Sequence, residues 1–287
     1  MLNCFEELDG GMLDRASFKC RHKLMGHPAL DFANLARVIP ALPPKHVMYA
    51  VKQLNTADNF EKTFSKRPQD CSIEETLENL RTSDSYVMIQ SPEADPSFRD
   101  LHRELLADVE QLMHQRGVGK AALNPHLYLF IASPGSITPF HLDRYSTFLL
   151  QFSGSKKVAV FPQWNEAVVT APCLEDYVAY HNTSLPWKQE MDSLGTTYNF
   201  TPGEAVHIPF AAGHHVHNGP AEVSISMSII FNTEESMRWR HALNFNHAAR
   251  RRLGRVGLSI KPVGRSKLRD RVKARVWSMY STVRGVK

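Results

Sequence analysis

The sequence is poor in cysteine, and the four it has, Cys4, Cys20, Cys71 and Cys173, make no CxxC pair. That excludes a disulfide-stapled mini-domain and a zinc ribbon, and it leads us to expect reduced thiols in a cytoplasmic protein. Long apolar runs are also missing, so no membrane-spanning helix is expected. The opening MLNCFEELDGG carries acids where a secretory leader would carry lysines. No internal repeat or low-complexity stretch stands out. What is there, 43% hydrophobic and 22% charged over 287 residues, is globular and long enough to bury a core without staples.

The net charge of +5 conceals an asymmetry. Residues 240–287 hold 14 of the 34 Lys+Arg and one acid, Asp270, for a local balance of +13, which leaves the rest of the chain at −8. Stretches such as Arg250 to Arg252 and Lys267 to Arg275 suit an anionic partner, a nucleic acid or a lipid surface. The plainer alternative is a solvated helical face that packs on the acidic body or forms a homodimer contact.

Periodicity divides the chain into an N-terminal mixed α/β scaffold over 1–119, a stranded core over 120–235 and a basic helical region over 236–287. Helical patterns run over Ile73–Leu80 and from Ser97 to His114, the second started by Asp95-Pro96 and carrying Phe98, Leu101, Leu105, Val109 and Leu112 on one face. Strands are expected at His126–Ser133, Ser146–Ser153, Lys156–Phe161, Glu204–Pro209 and Glu222–Phe231. In the last, Val223, Ile225, Met227 and Ile229 alternate with Ser224, Ser226 and Ser228, so one face is apolar and the other small and polar, as in a barrel that holds a ligand. After Thr233 the pattern is helical, with Trp239, Leu243, Phe245, Leu268, Val272 and Val276 as candidate core residues.

The chemistry-bearing residues lie in the stranded part. In Thr138-Pro139-Phe140-His141-Leu142-Asp143, the i, i+2 spacing on a strand lets His141 and Asp143 offer a nitrogen and a carboxylate oxygen to one metal ion. A third ligand is available between Pro202 and Asn218, where His207, His214, His215 and His217 compete. Two histidines and one carboxylate form a facial triad that leaves adjacent coordination positions on iron(II) open, an arrangement suited to oxygenase chemistry.

These residues carry a resemblance. Gly135, five residues, His141-x-Asp143, then Gly154 resembles the first cupin signature, and Gly203, five residues, Pro209, four residues, His214, three residues, Asn218 resembles the second. Thr138-Pro139-Phe140-His141-x-Asp143, the Gly154-Ser155-Lys156-Lys157 turn, Phe161-Pro162 and His214-x-Val216-x-Asn218 are similar to the JmjC branch. Within it the spacing looks most like the hypoxia-inducible-factor asparaginyl hydroxylase type and small bacterial cupin-like proteins. The match spans about residues 120–235.

The resemblance implies a mainly β chain with flanking helices around a double-stranded β-helix of cupin or jelly-roll type. It also implies Fe(II), with 2-oxoglutarate and O2 as co-substrates, the 2-oxoglutarate being oxidised to succinate and carbon dioxide. By position, His141, Asp143 and His214 become the metal ligands, and Lys156 and Thr138 receive the distal carboxylate of 2-oxoglutarate. Ser228 joins that cofactor-binding set, at a position where the hypoxia-factor type has asparagine. A carboxylate entering an apolar barrel does need a cation and hydroxyls to receive it. Thr147 stands where the general cupin signature has a glutamate ligand, and Ala212-Gly213 where the hypoxia-factor type has an aromatic pair. The expected activity is a 2-oxoglutarate-dependent dioxygenase, a hydroxylase of a protein side chain or small molecule, with demethylation as another outcome of the same step.

Other readings stay open on sequence alone. Lys157 competes with Lys156, and His217 with His214. Arg144 suits either a substrate contact or a surface ion pair. The connection Gln163–Phe200, with Trp164, Tyr177, Tyr180 and Trp187, reads either as an entrance cover or as a small core of its own. A metal-binding cupin without redox turnover, acting as a regulator or ligand-binding module, is the alternative of a different class.

Overall fold

The computed structural model describes residues 2–6, 8, 10–64, 72–253 and 259–284; Cys71 lies outside them. In chain order the elements are β1 (Phe18–Arg21), α1 (Phe32–Ala41), β2 (Val47–Val51), α2 (Phe60–Phe64), α3 (Ile73–Glu78), β3 (Ser85–Gln90), α4 (Arg99–Arg116), β4 (Leu123–Ala132), β5 (Ile137–Leu142), β6 (Ser146–Ser153), β7 (Lys156–Val160), α5 (Ala171–Val178), β8 (Thr196–Phe200), β9 (Glu204–Ile208), β10 (Gly213–Asn218), β11 (Ser224–Asn232), α6 (Glu234–Leu253) and α7 (Lys267–Arg284).

Two antiparallel sheets face each other. The larger has the order β1-β9-β6-β11-β4-β3-β2 and the smaller β5-β10-β7-β8. This is the double-stranded β-helix expected from the sequence, mainly β with helices on its flank. One hydrogen-bonded sheet crosses residue 119, because β1, β2 and β3 from the first part of the chain pair with β9, β3 and β4.

Strand alternation divides the side chains between two environments. On β11, Met227, Ile229 and Phe231 join Leu127, Leu129, Phe148 and Leu150 on the outer face, where they pack against Phe98, Leu101, Leu105, Val109 and Leu112 of the α4 region. That helix is set by Asp95, whose carboxylate accepts the Ser97 amide at 2.9 Å, and ends at Gly117 in the left-handed conformation. The opposite parity of the large sheet, including Leu149, Val206 and Ser228, faces the small sheet's Val158, Val160 and Val216. The helix therefore closes one side of the sheet and leaves the other free to line a cavity.

One open reading narrows and one expectation changes. The connection Gln163–Phe200 is structured: it contains α5 and also β8, the outer strand of the small sheet. Trp187 packs on Phe140 with ring centroids 4.9 Å apart, and Trp164 sits edge-on to Trp239 at 5.5 Å, so both tryptophans serve a secondary core. On α7, Leu268, Val272 and Val276 are exposed rather than buried. The helix turns Asp270, Lys273 and Ala274 inward instead, and the first two each find a backbone partner there: Asp270 Oδ2 accepts the Gly264 amide at 2.9 Å, and Lys273 donates to the Lys261 carbonyl at 2.5 Å.

Candidate metal centre

His141 on β5 and His214 on β10 lie directly opposite each other across the antiparallel pair, and Asp143 follows two residues after His141. One ligand atom from each lies within 4.8 Å of the others. The Nε2 atoms of His141 and His214 are each 3.9 Å from a different oxygen of Asp143, so the carboxylate faces both imidazoles, whose ring centroids lie 4.1 Å apart.

The backbone selects the ring nitrogens. His141 Nδ1 is 2.8 Å from the Pro139 carbonyl and His214 Nδ1 is 3.1 Å from the Ala212 carbonyl. A carbonyl only accepts, so each Nδ1 carries the proton and each Nε2 presents a lone pair toward Asp143. Burial, with His214 beside it, holds His141 down at about 3, so it stays neutral. Phe60 of α2 stacks on the His141 ring at 4.0 Å and 10°, fixing its plane. Thr147 Oγ1 donates to Asp143 Oδ2 at 2.8 Å, so where the general cupin signature has a fourth ligand this chain has a group that orients the third.

Alternation settles which histidine of β10 joins the cluster. His214 points inward, and His215 and His217 point outward, to Asp192 Oδ1 at 2.8 Å and Thr56 Oγ1 at 3.3 Å. His207 lies on the outer face among Phe18 and Phe148, its Nδ1 donating to the Thr147 carbonyl and its Nε2 accepting the Asp14 amide. Gly213, in place of an aromatic residue, has a cause in packing: a Cβ there would lie 2.7 Å from Cζ of Phe140.

The cluster opens into a cavity of about 270 Å³ lined by Thr138, Lys156 and Ser228 and walled by aromatic rings, Phe60, Tyr86, Tyr128, Phe130 and Tyr180 among them. Thr138, three residues before His141, would face away from it on a regular strand. The pairing slips by one residue, however, from His214↔His141 to Val216↔Thr138, and this bulge on β5 turns both side chains inward. Thr138 Oγ1 is buried, and among the described residues the Tyr86 hydroxyl is the side-chain group that approaches it.

Lys156 is 4% exposed, and Lys157 points to solvent. Among the described residues no carboxylate or carbonyl receives the Lys156 ammonium, and burial alone pulls it down to about 7. Arg144 is buried at the cavity's edge. Its guanidinium donates to the Tyr177 carbonyl and to Glu61 Oε1 at 2.6 Å and lies 3.7 Å from the Tyr180 ring centroid, so it ties α2 to the end of α5. Of the 163–200 connection, Tyr177 and Tyr180 do reach the cavity; Thr147's role, the Phe60 stack and the Tyr86 and Tyr128 walls were not foreseen from the sequence, and α2, Phe60–Phe64, has no periodic pattern to expose it.

The donor set fits a divalent transition metal: two imidazoles whose Nε2 atoms are free and one oriented carboxylate converge on one point. The uncompensated ammonium and the buried hydroxyl across the same cavity fit a carboxylate-bearing co-substrate.

A double-stranded β-helix with a His-Asp-His cluster at the mouth of its barrel defines a cupin. The profile of the cupin-like domain family matches residues 43–237, and the chain belongs to that family. Among solved structures it resembles Escherichia coli YcfD, with 13% identity over 93% of this chain and 64% of the other at a TM-score of 0.52. A second structure, of the E. coli ribosomal oxygenase YcfD, aligns at 14% identity over 98% of this chain and 68% of the other, TM-score 0.49. The Lactobacillus farciminis oxalate decarboxylase aligns at 21% over 38% of this chain and 25% of the other, TM-score 0.27. The chain thus spans a quarter of the oxalate decarboxylase and 64% of the first YcfD chain. At 13% identity the likeness to the first YcfD structure concerns the fold alone. No curated protein matches the sequence.

Proposed function

We propose that this chain is an Fe(II)- and 2-oxoglutarate-dependent dioxygenase of JmjC type, hydroxylating a protein side chain or a small molecule. The observation that carries the reading is the pairing, across one cavity, of the His141, Asp143 and His214 cluster with a buried ammonium, Lys156, that has no counter-ion among the described residues. A structural lysine would be paired or would reach solvent. A metal-binding cupin that held no anionic ligand would have no use for it.

Fe(II) held by the three ligands would supply oxygen activation, with 2-oxoglutarate as the reductant that leaves as succinate and carbon dioxide. The chain's own residues do the rest. Lys156 offers charge-assisted donors to the distal carboxylate, and Thr138 and Ser228 offer hydroxyls within the same lining. Thr147 and the two backbone carbonyls keep the ligands in one rotamer and one tautomer, so little reorganisation accompanies metal binding. The aromatic walls keep the site dry, and the edge framed by Glu61, Tyr145 and Tyr180 admits the substrate. The free thiols Cys4, Cys20 and Cys173 accord with a reducing, cytoplasmic setting.

The test is turnover in air of purified protein with Fe(II) and 2-oxoglutarate, scoring succinate. The expected result is succinate formation that Asp143→Ala and Lys156→Met each abolish. Metal-loaded wild type that yields no succinate, with or without candidate substrates, overturns the reading.

A further inference from the structure

Helix α7 carries a surface that the catalytic reading does not use. Leu268, Val272, Val276 and Met279 are 73%, 55%, 41% and 64% exposed and fall at steps of four, four and three, one continuous apolar stripe along the helix. Lys267, Arg271 and Arg275 are exposed beside it. Arg271 and Arg275 also line a groove between α6 and α7 with Arg238 and His241. Among the described residues, none of Lys267, Arg271 and Arg275 has an acidic partner. The sole acid of residues 240–287, Asp270, is turned inward onto the Gly264 amide.

We infer that α7 is an interfacial helix that docks the protein on an anionic lipid surface, the apolar stripe entering the headgroup boundary and the cations meeting lipid phosphates. Two observations favour that occupant, and two other occupants fit the face less well. Apolar and cationic stripes lie side by side on one solvent-facing arc, the pattern that binds an acidic bilayer surface and is too polar to cross one. Of the cations in residues 240–287, Arg250 and Arg265 pair with Glu175 and Glu166 on the body, whereas Lys267, Arg271 and Arg275 of α7 keep an exposed charge that draws this helix toward an anionic surface. A two-fold contact with a second copy would set the same unneutralised stripe against itself, with no acid on the face to offset it. A nucleic acid would meet the cations but leave the four apolar side chains without a role.

The test is co-sedimentation of the full chain with vesicles of phosphatidylcholine alone or mixed with phosphatidylglycerol. Binding is expected only to the anionic vesicles and falls as salt shortens the screening length. With roughly fivefold in partition per cation near the surface, Arg271→Gln with Arg275→Gln should weaken binding by about 25-fold. Leu268→Asp with Val272→Asp should abolish it, while thermal melts and metal binding stay as in wild type, because these positions are exposed. Failure to bind anionic vesicles overturns the inference. So does binding that survives the aspartate pair, a concentration-dependent dimer that the same pair dissolves, or a duplex DNA complex indifferent to it.

Discussion

Replacing Lys156 by Met removes a buried charge while keeping the length and shape of the side chain. Burial lowers this ammonium from 10.5 to about 7, and desolvation is its cause. Between those two values the unfolded chain binds the proton and the folded one does not, so wild-type stability rises with pH across that window. At 1.36 kcal/mol per pH unit the lysine costs the fold about 5 kcal/mol below pH 7, about 4 kcal/mol at pH 7.5 and nothing above 10.5. Lys156→Met should therefore raise the melting temperature of the metal-free protein, by on the order of 10 °C near neutral pH, with the difference shrinking toward pH 10. Added 2-oxoglutarate at about a hundred times its Kd should stabilise metal-loaded wild type by about 2.7 kcal/mol and leave the variant unchanged. Scanning calorimetry over a pH series reads both effects. A variant that melts with or below wild type, by a margin indifferent to pH, would refute the uncompensated cation and with it the argument for an anionic co-substrate.

Three further outcomes follow from the geometry. Thr147→Val removes the 2.8 Å donor to Asp143 Oδ2 with little change in volume and should weaken Fe(II) binding about 10- to 100-fold in anaerobic calorimetric titration; unchanged affinity would mean that the carboxylate needs no orienting. Gly213→Ala places a methyl 2.7 Å from the Phe140 ring beside His214 and should lower both stability, by about 1–3 kcal/mol in urea, and metal affinity; an undisturbed variant would contradict the close packing of β5 on β10. His207, fully buried, is held neutral by desolvation, down at about 3, while the unfolded chain takes up a proton below about 6.5. Its contribution is complete above pH 6.5 and is lost as pH falls toward 3, so urea midpoints should decline across that window, and less steeply in His207→Gln.

Where the fold obeys strand parity, the site was legible in the sequence. Parity places His214 inward and His215 and His217 outward, Lys156 inward and Lys157 outward, and it puts the serines of β11 opposite the face that meets α4. Thr138, like His214 and Lys156, is picked out by motif resemblance, and periodicity alone would put it on the wrong face, because a bulge lets it share a face with His141. Thr147 was noted as the loss of a ligand, and only three dimensions reveal its hydroxyl on Asp143. The C-terminal helix went the other way. Hydrophobicity points Leu268, Val272 and Val276 to the core, but α7 turns Asp270, Lys273 and Ala274 inward, the first two onto backbone partners, and leaves the apolar stripe outside.

The most direct test of the central claim is anaerobic addition of Fe(II) and then 2-oxoglutarate to the purified chain, followed by visible absorption. A weak metal-to-ligand charge-transfer band in the middle of the visible range, saturating with both additions and lost in His214→Ala and in Lys156→Met, is the predicted result. Iron that binds tightly but gives no band with 2-oxoglutarate would contradict the account and leave a metal-binding cupin without this co-substrate.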